Sequence, residues 1–307
     1  ELFHVPLPEQ VVFTFNATHG LNIAIHALVK PGSRVVISGY EHNAVTRPLW
    51  AIPNVAVRVA QSPLFRQDLA LSAFRRALRE EQPDAVICTH VSNVFGFVLP
   101  IEEIADLCRA AGVPLVVDAS QSAGCIPLDF QRLGADFVAM PGHKGLYGPQ
   151  GTGLLLCGRT PEPLLQGGTG SASRQQEMPE FLPDRLEAGT HNIAGIAGLL
   201  EGLRYLHRRG VERIASHERE LIRTLGAGLK RLEGLEVFLA GDPAAQAGVL
   251  SFRSADWDCE VLGQALGERG AALRAGLHCA PLAHQTVGTL ETGTVRASVS
   301  DFNTGGE

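Results

Sequence analysis

Residues 135–157 read ADFVAMPGHKGLYGPQGTGLLLC, and the way this stretch breaks decides the fold. Residues 135–140 and 153–157 are short apolar runs, the pattern of strands covered on both faces. Between them a glycine-rich turn carries His143 and Lys144. Gly142, Gly145 and Gly148 lack a Cβ, so the backbone of this turn is expected to approach a ligand closely. A single lysine in such a turn is most often a solvated charge, so the rest of the chain has to decide its role.

Working outward, strand-like and helix-like segments alternate. Strands are expected at 11–15, 34–38, 55–59, 85–89 and 114–118, with helical segments at 18–29, 43–51, 69–80 and 101–111. This alternation specifies βαβ units: an α/β fold in three layers, a mostly parallel sheet with helices on both faces. A loop rich in Gly, Ser, Glu and Pro follows at 166–192, long enough to be functional. A long helix at 193–209 then opens a smaller C-terminal α+β region, with helices at 211–233 and 257–270 and strands at 235–239, 249–252 and 294–299. The expected division is a large domain at 1–192 and a smaller one at 193–307.

Composition narrows the function classes. The 307 residues are 45% hydrophobic and carry a net charge of −6 with scattered basic residues, which does not suit a nucleic-acid surface. No apolar run is long enough to cross a bilayer, so no membrane partner is expected. The six cysteines are widely spread without CxxC pairs, as expected of free thiols in a reducing cytoplasm.

In a parallel α/β sheet, ligands bind beyond the carboxyl ends of the strands. Five strands deliver polar groups there: Asn16-Ala-Thr-His-Gly20, Tyr40-Glu-His-Asn43, His90-Val-Ser-Asn93, Asp118-Ala-Ser-Gln121, and the turn with Lys144. The set suits pyridoxal phosphate. A lysine can hold this cofactor as a Schiff base, and a carboxylate such as Asp118 can keep its pyridine nitrogen protonated. Thr18 and His19 at a helix start offer donors for its phosphate, and His42 offers a ring to stack on it. Each residue also has an ordinary reading: Asp118 as a loop hydrogen bond, Thr18 as a helix N-cap, His42 as polar surface. Their joint arrival at strand ends favours the cofactor.

Asp118-x-x-Gln121 followed by Gly142-His143-Lys144 resembles the cofactor signature of class V aminotransferase-fold enzymes, the fold type I pyridoxal phosphate enzymes. The cysteine desulfurase and selenocysteine lyase branch is the nearest likeness. It extends through Glu41-His42-Asn43, Leu186-Glu-Ala-Gly-Thr-His-Asn192, Leu273-Arg-Ala-Gly-Leu-His-Cys-Ala-Pro-Leu282 and Val295-Arg-Ala-Ser298. The resemblance implies that Lys144 forms the internal aldimine and moves protons at Cα. Asp118 pairs with the pyridinium, Gln121 binds the ring hydroxyl, and His42 stacks on the ring and serves as a catalytic acid/base. Thr18 and His143 hold the phosphate, and Thr190 reaches the phosphate of a neighbouring subunit, making a homodimer. Arg296 grips the substrate carboxylate, with Asn93 and Arg274 helping to place the substrate. Cys279 attacks the sulfur of L-cysteine, leaving alanine and a persulfide for a sulfur-acceptor protein.

Alternatives stay open. Cys279 also reads as a structural thiol, or as a zinc ligand with His278 and His284, although four ligands at a recognised spacing are missing. The scaffold also suits a C–S lyase acting on a larger cysteine derivative, an aminotransferase, an epimerase, or a truncated non-catalytic partner. Two positions depart from the family pattern: Pro141 stands where a Ser or Thr donor is usual, and His191 where proline is common. The resemblance also implies an N-terminal segment and a closing helix, so a fragment of a longer enzyme is expected.

Overall fold

A computed structural model of the protein describes residues 1–306. The N-terminal part runs β1 (Val11–Thr14), α1 (Ala17–Leu28), β2 (Arg34–Ser38), α2 (Asn43–Ala51), β3 (Ala56–Ala60) and α3 (Gln67–Glu81). It continues through β4 (Ala85–Thr89), α4 (Ile101–Ala111), β5 (Leu115–Asp118), α5 (Phe130–Leu133), β6 (Phe137–Pro141) and β7 (Gly153–Cys157). These strands form one seven-stranded sheet in the order β1-β7-β6-β5-β4-β2-β3. Only β7 runs against its neighbours, pairing antiparallel with both β1 and β6. The carboxyl ends of the other strands therefore share one edge, as the sequence predicts.

Alternate strand residues enter two different cores, which is why the strands read as nearly unbroken apolar runs. Val36, Val86, Val117 and Val138 pack on one face with Phe74 of α3 and Ile104 of α4. Their neighbours Val35, Ile87, Val116 and Phe137 pack on the other with Leu21 and Ile25 of α1 and Leu49 of α2. The sheet is thus the middle of three layers, the expected α/β arrangement.

The chain continues with α6 (Ile193–Arg209), α7 (Val211–Leu229), β8 (Leu235–Phe238), β9 (Val249–Ser254), α8 (Cys259–Gly267), β10 (Arg274–Gly276), α9 (Pro281–Val287) and β11 (Thr294–Ser298). Its strands make a separate antiparallel sheet, ordered β10-β11-β9-β8. Leu199 and Leu206 of α6 pack into the core of the large sheet. The helix expected at 257–270 spans only Cys259–Gly267; its later start is set by the Asp258 carboxylate, which accepts the N–H groups of Glu260 and Val261. The strand at 114–118 begins one residue later, at Leu115. The sequence reading did not anticipate α5, α9 or β10.

Candidate active site

The shared edge of carboxyl ends borders a cavity of about 200 Å³. It is lined by Thr18, His42, Asn93, Asp118, Gln121, His143 and Lys144, all seven expected from the sequence. Asn16, Thr89 and Ser120 line it as well and were not singled out.

Local chemistry explains how several of these groups are placed. Asn16, not Thr18, is the N-cap of α1: its Oδ1 accepts the His19 N–H at 2.9 Å. Thr18 is thereby released from capping and lies on the cavity wall in the first helical turn. His42 caps α2, with Nδ1 accepting the Ala44 N–H at 3.0 Å. An accepting Nδ1 requires the ring proton on Nε2. Burial holds its pKa below the usual histidine value, and Lys144, Arg47 and Arg296 push the same way against Asp118. His42 is therefore a neutral imidazole at neutral pH. Asp118 ends β5, and its Oδ1 accepts the Ser120 N–H at 2.9 Å.

The glycines of the opening turn act differently from the sequence expectation. A Cβ on Gly142 would lie 2.1 Å from Thr152 Oγ1, and one on Gly145 would lie 2.4 Å from the Ala123 carbonyl. The close approach they permit is to the protein's own chain, which seats the turn and so fixes the backbone beside Lys144. Lys144 itself remains reachable by solvent through the open cavity. Protein nonetheless surrounds its amine closely enough that burial lowers its pKa, aided by Arg296 and opposed by Asp118. Desolvation of this kind readies a lysine for nucleophilic chemistry.

Five expected residues, His19, Thr190, Arg274, Arg296 and Cys279, are not among those lining the cavity. His19 follows Thr18, but its ring stacks on Phe15 with centroids 4.6 Å apart, and it is not among the lining residues. Thr190 is exposed and does not line the cavity either. Arg274 lies on β10, opposite Arg296 of β11 in the small sheet.

Arg296 bridges the two sheets by donating from Nη1 to the Asn93 carbonyl at 2.8 Å. Its Nε is buried without a partner, as is Asn93 Oδ1. The unpartnered guanidinium donor suits a ligand carboxylate, and the unpartnered amide acceptor suits a ligand donor such as an ammonium group.

Cys279 is the one exposed cysteine among the described residues. It does not line the cavity but lies on the turn before α9, where its carbonyl accepts the Asn43 N–H at 2.8 Å. No group of three or more His, Cys, Asp or Glu side chains among the described residues could hold a metal ion.

The sequence reading also passed over Glu41. It is fully buried, accepts the Thr89 N–H at 2.8 Å and the Ser38 hydroxyl, and leaves Oε2 without a partner. Burial pushes its pKa up to about 8. Its signal was its place beside His42 at a strand end.

Residues 1–307 match the aminotransferase class-V family. The chain is 34% identical over 308 residues to a probable cysteine desulfurase of Methanothermobacter thermautotrophicus, covering 97% of this chain and 76% of that one. It is 36% identical over 316 residues to a probable cysteine desulfurase of Mycolicibacterium paratuberculosis, covering 99% of this chain and 45% of that one. The structure of a cysteine desulfurase from Thermococcus onnurineus superposes with a TM-score of 0.87 at 31% identity, over 96% of this chain and 76% of that chain. One from Escherichia coli superposes with a TM-score of 0.85 at 28% identity, over 99% of this chain and 77% of that chain.

The family depends on pyridoxal phosphate, and the donor set here fits that group: a desolvated amine, a carboxylate, a neutral imidazole, and a hydroxyl at a helix start. The sequence match along the whole chain and the shared fold together place this protein in the aminotransferase class-V family.

Proposed function

We propose that the protein is a pyridoxal phosphate-dependent cysteine desulfurase that converts L-cysteine to L-alanine and carries the sulfur as a persulfide on Cys279. The observation that carries this reading is the setting of Cys279. Alone among six cysteines it is exposed, on a turn held to the residue after His42. A transaminase has no use for an accessible thiol there.

Pyridoxal phosphate, when bound, supplies the electron sink that lets bonds at and beyond the Cα of an amino acid break. Asp118 would partner its pyridinium nitrogen, Gln121 its ring hydroxyl, and Thr18 and His143 its phosphate. Lys144 would anchor it and move the proton at the substrate Cα, while His42 would stack on the ring. Arg296 takes the substrate carboxylate with its planar fork, and Asn93 and Arg274 border the same place. Cys279 sulfur then bonds to the substrate sulfur as the substrate Cβ–S bond breaks. The bonding pair stays on carbon, which takes a proton and leaves as the methyl group of alanine.

The same reading gives a homodimer. Thr190 is exposed and apart from its own chain's cavity, as a residue serving a neighbouring subunit's phosphate has to be. The large cofactor-binding unit is assigned to 1–192 and the smaller unit to 193–307. No helix among the described residues is long and apolar enough to cross a membrane. The reading takes the protein as a cytoplasmic enzyme that hands sulfur to an acceptor protein, where its six free cysteines would stay reduced.

The test is to add excess L-cysteine and a thiol reductant, then quantify alanine and sulfide beside Cys279→Ala and Lys144→Ala. Equimolar alanine and sulfide, lost in both variants, supports the desulfurase. Protein that binds the cofactor and cysteine yet releases no alanine overturns it.

A further inference from the structure

The turn that carries Cys279 is strained and is held from outside as well as by its own hydrogen bond. His278 and Cys279 both adopt the left-handed region, at φ 50° and 57°. Consecutive non-glycine residues there carry backbone strain, which persists only where surrounding contacts impose it. Two of those contacts come from the carboxyl edge of the large sheet. The Asn43 N–H donates to the Cys279 carbonyl at 2.8 Å, and the Asn93 side-chain amide donates to the His278 carbonyl at 2.8 Å. Within its own part of the chain, the turn is closed by Ala280 N–H on the Leu277 carbonyl at 2.9 Å. His278 Nε2 also lies 3.1 Å from the Thr294 carbonyl.

Asn93 is tied in a second direction. Its backbone carbonyl accepts Arg296 Nη1 at 2.8 Å, while its Oδ1 and Arg296 Nε stay buried and unpartnered. One residue thus touches both the guanidinium of β11 and the turn of Cys279. We propose that Asn93 is the positioning residue of the Cys279 turn and that it couples this turn to Arg296. The inference rests on the desulfurase reading for its purpose, since the turn so positioned carries the sulfur-accepting thiol. Its structural content does not depend on that reading. A ligand that draws Arg296 away from the Asn93 carbonyl loosens the same residue that holds His278.

Amide hydrogen exchange over residues 277–280 reads the turn directly, in the cofactor-loaded protein without cysteine. Loss of one hydrogen bond corresponds to exchange about two- to tenfold faster. That increase is expected in Asn93→Ala and in Asn93→Asp, which keeps the shape but removes the donor. The increase is expected to be confined to this turn, with β8 and β9 unchanged. Arg296→Lys is expected to speed exchange in the parent but to add nothing in Asn93→Ala, the non-additivity of a shared path.

Unchanged exchange at 277–280 in Asn93→Asp overturns the positioning role. Additive effects of the two substitutions overturn the coupling. If Asn93→Ala does not fold, Asn93→Asp decides the first question, and Arg296→Lys combined with Asn93→Asp the second. A positioning role lowers kcat for alanine release, whereas contact with substrate alone raises KM and leaves exchange unchanged. Failure of the desulfurase reading appears separately, as absence of alanine from the parent protein with the exchange pattern intact.

Discussion

Glu41 accepts the Thr89 N–H at 2.8 Å on the same carboxyl oxygen that takes the Ser38 hydroxyl. One buried side chain thereby joins the carboxyl ends of β2 and β4. The residue after it is His42, and Thr89 is itself on the cavity wall. A charged carboxylate at this depth would be costly, and the nearby Asp118 adds to the penalty. Glu41 is therefore a neutral acid at neutral pH that fixes the frame on which His42 and Asp118 stand.

The pH dependence of stability follows from this burial. The pKa of Glu41 rises from 4.5 to about 8 on folding, as does that of the buried Glu218. Between those values the folded state binds more protons than the unfolded, so these groups lower stability as pH rises from about 4.5 to 8. His278 and His284 act oppositely: burial lowers them to about 4, so their contribution is lost as pH falls from 6.5 through 4. Denaturant melts from pH 6.5 to 8 are expected to show declining stability, with a shallower decline in Glu41→Gln. An unchanged slope in that variant would place the proton elsewhere.

Lys144→Ala removes the amine that the cavity is built around. The expected outcome is a folded protein that loses the cofactor's visible absorbance on dialysis and releases no alanine, measured by spectrum and amino-acid analysis. Retention of the bound absorbance through dialysis would assign the anchoring amine to another residue.

Much of this site was legible because strand ends are legible. Short apolar runs located the strands, and parallel topology sends their following residues to one edge. Sequence could not separate Asn16 from Thr18 as the cap of α1, since both side chains suit that position. Nor could it reveal that Gly142 and Gly145 make room for Thr152 and Ala123 instead of a ligand, which is a long-range contact. The three-residue β10 is too short for any period to register. By contrast, α9 had its signals, with Pro281 at its first position and Gly288 just past its end. The Asn43 N–H that holds the Cys279 carbonyl leaves no trace in a side-chain pattern.

Arg296→Lys keeps the charge but loses the fork. Burial already disfavours the charged guanidinium here, and Arg274 adds to that effect. On the proposed reading, a bound substrate carboxylate would relieve it, and the substrate and Arg296 would stabilise one another. Hydrogen bonds to charged groups are worth enough that the expected rise in KM for L-cysteine is about 10- to 100-fold. Steady-state kinetics at saturating cofactor checks this, and a KM within twofold of the parent would move the carboxylate site elsewhere.

Thiol labelling separates Cys279 from the other cysteines. The thiolate is the reacting form, and burial raises the pKa of all five others: to about 12 for Cys108 and Cys157, and upward for Cys88, Cys125 and Cys259. Cys279 is the exposed one. Iodoacetamide at neutral pH is expected to modify one thiol per native chain before any other, located at Cys279 by peptide mass. That early event is expected to vanish in Cys279→Ala, with the four buried thiols reacting only on unfolding and the half-buried Cys125 more slowly than Cys279. Comparable early labelling of two or more cysteines would show that the native chain opens around its buried thiols. Cys279 would then lose its distinction as the accessible sulfur carrier.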